Sequence, residues 1–142
     1  MKSRILVVED NPADVDLLRR ALAEAEVDCE LRIVEDGADA LALIRSIEQH
    51  SADAPDLAVL DLNLPKHGGL EVLEAIRSSS SLAKLPVVVL SSSWSPRERS
   101  HIEKLGVGRQ IVKPPDLDEF MKIGVEVKAL LLESQARGHS AG

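Results

Sequence analysis

Short runs of aliphatic and β-branched residues alternate along the chain with longer segments whose apolar residues recur at helical spacing. The runs predict five strands, at residues 4–8, 30–34, 57–60, 87–90 and 109–112. Three of them are nearly continuous in apolar character, which is typical of strands buried on both faces. The first three helices are marked by the apolar positions Val15, Leu18, Leu22, Leu41, Ile44, Ile47, Leu70, Leu73 and Ile76.

Polar residues and prolines mark where three of the helices begin. Asn11 is a predicted cap followed by Pro12, Ser95 and Glu98 form a predicted capping box, and Asp116 precedes the last helix. Five strands alternating with five helices predict a doubly wound α/β fold with a parallel sheet, the flavodoxin-like (βα)5 arrangement with strand order 2-1-3-4-5. We expect one domain over residues 1–134, a flexible tail over 135–142 and no attached output domain.

Composition and charge argue against two classes of partner, nucleic acids and membranes. The net charge of −7 disfavours nucleic acid as a partner, and the two aromatic residues, Trp94 and Phe120, are too few for base-stacking platforms. No apolar run approaches the roughly 20 residues of a membrane span, so no membrane contact is expected. The single cysteine, Cys29, allows no internal disulfide, and no export signal is recognised. We therefore expect a cytoplasmic protein.

Chemically active side chains stand at the predicted carboxyl ends of the strands, where open parallel sheets bind ligands. The first strand is followed by Glu9 and Asp10, and the third by Asp61. Because these two strands are expected to be neighbours, the three carboxylates converge and predict a site for a hard cation such as Mg²⁺. Ser91 at the fourth strand and Lys113 at the fifth add a hydroxyl and a cation, which completes a set suited to phosphoryl transfer onto a carboxylate.

The chain resembles, over essentially its whole length, the receiver domains of two-component response regulators. The motifs that carry the resemblance are Val7-Val8-Glu9-Asp10-Asn11, Asp61-Leu62-Asn63-Leu64-Pro65 with Gly69, Val89-Leu90-Ser91 and Val112-Lys113-Pro114. The resemblance implies that Asp61 is the phosphoacceptor, Ser91 the switch hydroxyl and Lys113 the phosphate partner. It implies Mg²⁺ bound by Glu9, Asp10, Asp61 and the backbone carbonyl of Asn63. It also implies a cis Lys113–Pro114 peptide bond.

A narrower resemblance concerns the partner kinase. The segment Glu9–Val15, the segment Asp61–Lys66 and the long loop at 50–55 are similar to small stand-alone regulators of phytochrome-type sensor histidine kinases. The family usually carries an aromatic residue three positions before the strand-five lysine, but Gln110 occupies that position here. The coupling between phosphorylation and the switch hydroxyl is therefore expected to differ from the family pattern.

Three hypotheses follow from these residues. The first is a phosphorylation-controlled switch that is not an enzyme, beyond catalysing its own phosphorylation and dephosphorylation. The second is a phosphatase with an aspartate nucleophile, but such enzymes place a second acid two residues later, where this chain has Asn63. The third is a degenerate receiver that binds partners without being phosphorylated.

The last helix carries more apolar residues than one buried stripe requires. We expect Leu117, Phe120, Met121, Gly124 and Leu131 to face the sheet. Ile123, Val127 and Leu130 would then remain partly exposed and form, with helix four, a surface for a homodimer or a kinase.

Overall fold

The five predicted strands form one parallel sheet in the computed structural model, which describes residues 2–50, 53–64, 68–92 and 95–141. The strands are β1 (Ser3–Val8), β2 (Cys29–Val34), β3 (Leu57–Asp61), β4 (Val87–Ser91) and β5 (Arg109–Val112). Their order is β2-β1-β3-β4-β5, and all four neighbouring pairs are parallel. The flavodoxin-like fold predicted from the sequence is confirmed.

Burial follows the position of each strand in the sheet. Every residue of β3 and β4 is buried, and so is every residue of β1 except Arg4. The edge strands β2 and β5 are only partly covered. Helices on both faces explain why the three central strands lack the polar alternation of a half-exposed sheet.

Five helices cover the sheet: α1 (Pro12–Glu24), α2 (Gly37–Gln49), α3 (Gly69–Ser78), α4 (Pro96–Lys104) and α5 (Leu117–Ala141). The predicted caps are confirmed. The Asn11 side chain accepts from the Ala13 amide, Ser95 and Glu98 form the capping box, and the Asp116 carboxylate accepts from the Asp118 amide. These caps satisfy amides that have no partner within the helix.

The helices divide between two hydrophobic cores, one on each face of the sheet. Side chains of α1 and α5 form one core with β1, β3 and β4. Side chains of α2, α3 and α4 form the other with the opposite faces of the same strands. The α1–α5 contact is close, since a Cβ on Gly124 would collide with the carbonyl oxygen of Ala21.

The predicted orientation of α5 is confirmed for Phe120, Gly124 and Leu131, which are buried, but it is wrong for four other residues. Ile123, Val127 and Leu130 are buried in the core and not at the surface, whereas Leu117, expected to face the sheet, is 40% exposed. The helix has a wide buried face because it packs on both the sheet and α1. Its exposed large apolar residues within the described part are instead Leu117, Val125 and Leu132.

The C-terminal segment is helical. The backbone of α5 continues to Ala141, beyond the boundary at Ser134 where the sequence led us to expect a tail. Within the part of the chain that the structure describes, no helix combines the length and apolar character needed to cross a bilayer.

Candidate functional site

The predicted site residues meet at the carboxyl edge of the sheet. Asp61 and Ser91 are the last residues of β3 and β4, and Glu9 and Lys113 directly follow β1 and β5. Since β1 and β3 are adjacent and their connections leave in opposite directions, this edge is the topological switch point of the fold.

Three carboxylates form an acidic cluster there. Glu9, Asp10 and Asp61 each offer an oxygen, and these oxygens lie within 4.8 Å of one another. Glu9 and Asp61 are 5% exposed, while Asp10 is open to solvent. An arrangement of carboxylate oxygens with one side open to water fits Mg²⁺, which keeps several waters and uses few protein ligands.

Lys113 holds the cluster together. Its Nζ lies 2.6 Å from Glu9 Oε1, 2.7 Å from Asp14 Oδ2 and 3.3 Å from Asp61 Oδ2. Burial by itself lowers the pKa of Lys113, but its hydrogen bonds to Asp14 and Glu9 and the charge of Asp61 raise that pKa well above its ordinary value. The ammonium therefore stays charged and compensates part of the acidic charge.

Glu9 is the acid most affected by its surroundings. Burial, followed by a hydrogen bond to Asp61, raises the pKa of Glu9 to about 7, although Lys113 acts in the opposite direction. The backbone N–H of Asn11 donates to its other oxygen at 3.2 Å. Without a metal, the site therefore takes up a proton near neutral pH.

The raised pKa of Glu9 predicts a pH dependence of stability in metal-free protein. Between the ordinary pKa of 4.5 and the folded value of about 7, the folded state binds the proton more tightly than the unfolded state. The stabilisation is complete below the lower value and is lost as the pH rises through the upper one, with a contribution on the order of 3 kcal/mol. We expect urea melts in EDTA to show lower stability at pH 8 than at pH 5.

The Glu9→Gln variant is the control for this effect. It keeps a hydrogen-bonding group of similar size but cannot titrate, so its stability should change less over the same pH range. An identical pH dependence in both proteins would contradict the assignment to Glu9.

Ser91 is wholly buried beside the cluster and shares a hydrogen bond with Asn63. The Asn63 Nδ2 group donates to Ser91 Oγ at 2.8 Å, and the Asn63 backbone N–H donates to Asp61 Oδ1 at 3.0 Å. A Cβ on Gly69 would collide with the backbone carbonyl of Asp61. Glycine at this position therefore lets α3 begin directly against the end of β3, where Asp61 lies.

A family model described as response regulator receiver domain matches residues 5–123 of the chain. The chain belongs to this family. Among curated relatives of this receiver domain, the response regulator Rcp1 of Synechocystis sp. is 35% identical over 131 residues, which are 92% of this chain and 89% of Rcp1. Receiver domains transduce signals in two-component systems together with histidine kinases, and that general role applies to this chain.

Solved structures agree with this placement. The phosphorylated cyanobacterial phytochrome response regulator RcpA is 38% identical with a TM-score of 0.81, and the match covers 93% of this chain and 95% of RcpA. The Mn²⁺-bound form of Rcp1 is 34% identical with a TM-score of 0.80, over 92% of this chain and 95% of that one. The predicted resemblance to the regulators of phytochrome-type kinases is confirmed, because RcpA, a phytochrome response regulator, is among the similar structures.

Two features of this receiver domain differ from expectation or from the family pattern. The described residues contain no cis peptide bond, and the Lys113–Pro114 bond is therefore trans. The predicted cis form is wrong. Trans is the intrinsically favoured isomer by about 0.5–1 kcal/mol.

Gln110 pairs with Val89 across the β4–β5 ladder and is half-buried. Pro65 and Lys66 of the predicted motif lie outside the described residues.

Asp14 is the site residue that sequence reasoning missed. It is an acid in the first turn of α1, and its carboxylate contacts Lys113, 99 residues later in the sequence. Its side chain is 19% exposed. The sequence does place Asp14 one helical turn after the strand-end acids Glu9 and Asp10. However, an acid in the first turn of a helix also commonly stabilises the helix start, so its position alone does not indicate a site residue.

Proposed function

We propose that this receiver domain accepts a phosphoryl group on Asp61 from a sensor histidine kinase, in a Mg²⁺-dependent reaction, and thereby changes its contacts with other proteins. The observation that carries the proposal is the position of Asp61. It is a nearly buried carboxylate at the switch point, within 4.8 Å of two further acids and 3.3 Å from the Lys113 ammonium.

The chemistry is nucleophilic. A carboxylate oxygen of Asp61 attacks the phosphorus, the bond from phosphorus to the donor atom breaks, and the donor leaves with the electron pair. Lys113 is close enough to hydrogen-bond an oxygen of the arriving group. Glu9, Asp10, Asp61 and the Asn63 carbonyl would hold Mg²⁺, which neutralises negative charge on the transferred group when bound. In self-dephosphorylation a water oxygen attacks the phosphorus, the bond from phosphorus to the Asp61 oxygen breaks, and inorganic phosphate leaves while the carboxylate is restored.

The switch would act through Ser91. In the structure its hydroxyl accepts a hydrogen bond from Asn63. A phosphoryl group on Asp61 supplies new acceptor oxygens at the end of the neighbouring strand, so Ser91 is expected to turn its hydroxyl towards them. With Gln110 in place of an aromatic residue, we propose that the response is passed mainly to α4, the helix that follows Ser91 in the chain.

A mass measurement tests the function. Incubation with acetyl phosphate and Mg²⁺ should add the mass of one HPO₃ group, and EDTA should prevent the addition. Continuous release of phosphate at enzymatic rates would support the aspartate phosphatase instead. An unchanged mass would support the degenerate receiver that binds its partners without phosphorylation.

The partner kinase is proposed to be of the bacteriophytochrome type, and the cytoplasm is the proposed compartment. The similarity to RcpA and Rcp1 over more than nine-tenths of this chain supports the kinase class. Transfer from a phosphorylated phytochrome-type kinase should be faster than transfer from a kinase of another sensor class. Equal rates would remove the phytochrome link and leave the receiver function intact.

A homodimer through α4 and α5 is also proposed, on residues other than those first expected. Val112 on edge strand β5 is 48% exposed beside a groove lined by Arg99 and Glu103 of α4. On the α5 side, Arg109 pairs with Glu126 at 2.6 Å and with Glu133 at 3.7 Å. An exposed apolar side chain such as Val112, surrounded by charged residues, suits a small self-complementary interface.

Sedimentation velocity tests the dimer, with and without the phosphoryl mimic beryllofluoride. Val112→Arg should make the protein monomeric. Val125→Arg is the control, since Val125 is a 60% exposed valine of α5 that does not line the groove to which Val112 belongs. A wild type that is monomeric at high micromolar concentration in both states would exclude the dimer.

A further inference from the structure

Asp14 lies at the acidic site but has no role in the proposed metal centre. It belongs to the first turn of α1, whose start is fixed by the Asn11 cap and Pro12. Its Oδ2 lies 2.7 Å from Lys113 Nζ, and the two side chains are 19% and 12% exposed. The group of carboxylates close enough to share one cation consists of Glu9, Asp10 and Asp61.

The ammonium of Lys113 is shared among three carboxylates. A lysine ammonium has three N–H donors, and Glu9, Asp14 and Asp61 accept from them at 2.6, 2.7 and 3.3 Å. A cation bound by Glu9 and Asp61 competes with the ammonium for the oxygens of those two residues. Asp14 is then the partner that remains wholly available to Lys113.

We propose that Asp14 is a positioning residue that holds Lys113 beside Asp61 during phosphoryl transfer. This inference rests on the proposed function. Because Asp14 accepts one N–H of Lys113, another points towards the Asp61 oxygen, where the phosphoryl group arrives. In the transfer from acetyl phosphate, the bond from Asp61 oxygen to phosphorus forms, the bond from phosphorus to acetyl oxygen breaks, and acetate leaves with the electron pair. No proton passes to or from Asp14 or Lys113.

An alternative role for Asp14 is purely electrostatic. A negative charge near the cluster also attracts Mg²⁺, so removing it would weaken metal binding without any effect on Lys113. The two roles differ at saturating Mg²⁺. An electrostatic effect on metal binding vanishes there, whereas the loss of lysine positioning persists in the rate of the chemical step.

The experiment compares phosphorylation rates at saturating Mg²⁺ and saturating acetyl phosphate, followed by intact mass. Asp14→Asn should lower the rate constant roughly tenfold, because it removes a charge-assisted hydrogen bond that orients the ammonium. Asp16→Asn on the exposed side of the same helix makes the same charge change and should react like wild type. Asp14→Glu restores the charge one methylene further out and should recover most of the loss.

A double substitution separates positioning from a general structural effect. In a Lys113→Met background, Asp14→Asn should cause no further loss, since the group that it positions is absent. If Lys113→Met reacts too slowly to be timed, the recovery by Asp14→Glu decides the matter. Thermal melts of every variant identify any that do not fold.

Specific results would overturn the inference. These are a wild-type rate for Asp14→Asn, an equal loss in the Lys113→Met background, no recovery by Asp14→Glu, or a loss that disappears at saturating Mg²⁺. Failure of the proposed function itself has a different signature, because the wild type would then not be labelled at all, or would be labelled at a residue other than Asp61.

Discussion

Replacing Asp61 by asparagine is expected to abolish labelling by acetyl phosphate and by a donor kinase. The amide has no anionic oxygen with which to attack phosphorus, so the loss should be complete within detection. The fold should survive, because the side-chain oxygen of the introduced asparagine can still accept from the Asn63 amide, and Lys113 keeps Glu9 and Asp14 as partners. Intact mass measures the labelling, and a thermal melt measures the fold.

Asp56→Asn is the matched control for this variant. Asp56 is exposed just before β3, at the opposite end of the strand that carries Asp61, where it accepts from the Arg4 amide at 2.8 Å. The same chemical change at this edge should leave labelling unaltered. Labelling of Asp61→Asn at the wild-type level would refute the assignment of the acceptor.

The second large effect is expected for Asp10→Asn. We expect Mg²⁺ affinity to fall roughly tenfold or more, because a carboxylate about 4 Å from a cation contributes several kcal/mol even at an effective dielectric constant of about 20. Phosphorylation at limiting Mg²⁺ should slow accordingly. The metal-free protein should become slightly more stable, since Asp10 no longer repels Glu9 and Asp61. Calorimetric titration and melts in EDTA measure the two effects.

The control for Asp10 is Asp28→Asn. Asp28 is exposed immediately before β2, at the far edge of the sheet, and undergoes the same change of charge. The Mg²⁺ affinity and the metal-free stability of the Asp28→Asn variant should match those of the wild type. If Asp10→Asn lowered the stability of the metal-free protein, the repulsion within the acidic cluster would not be the dominant effect.

The buried face of α5 could not be predicted from the spacing of its apolar residues alone. The spacing of apolar residues indicated an amphipathic helix but not which side is covered, because several stripes fit the same sequence. The side chain of Leu130 packs where Gly108 has no Cβ, and Gly124 allows α1 to approach. Both contacts join elements that are distant in sequence, so neither leaves a local signal.

The sequence by itself determined the five strands, the starts of three helices and the meeting of Glu9, Asp10, Asp61, Ser91 and Lys113 at one edge. These features follow from local patterns, since a central strand must be apolar, a helix start must be capped and parallel strands end at a common edge. Only the tertiary structure decided which face of α5 is buried and that Asp14 shares the Lys113 ammonium. Those outcomes depend on side chains brought together from α1, β5 and α5, and such packing is set by the distances between whole elements in the folded chain.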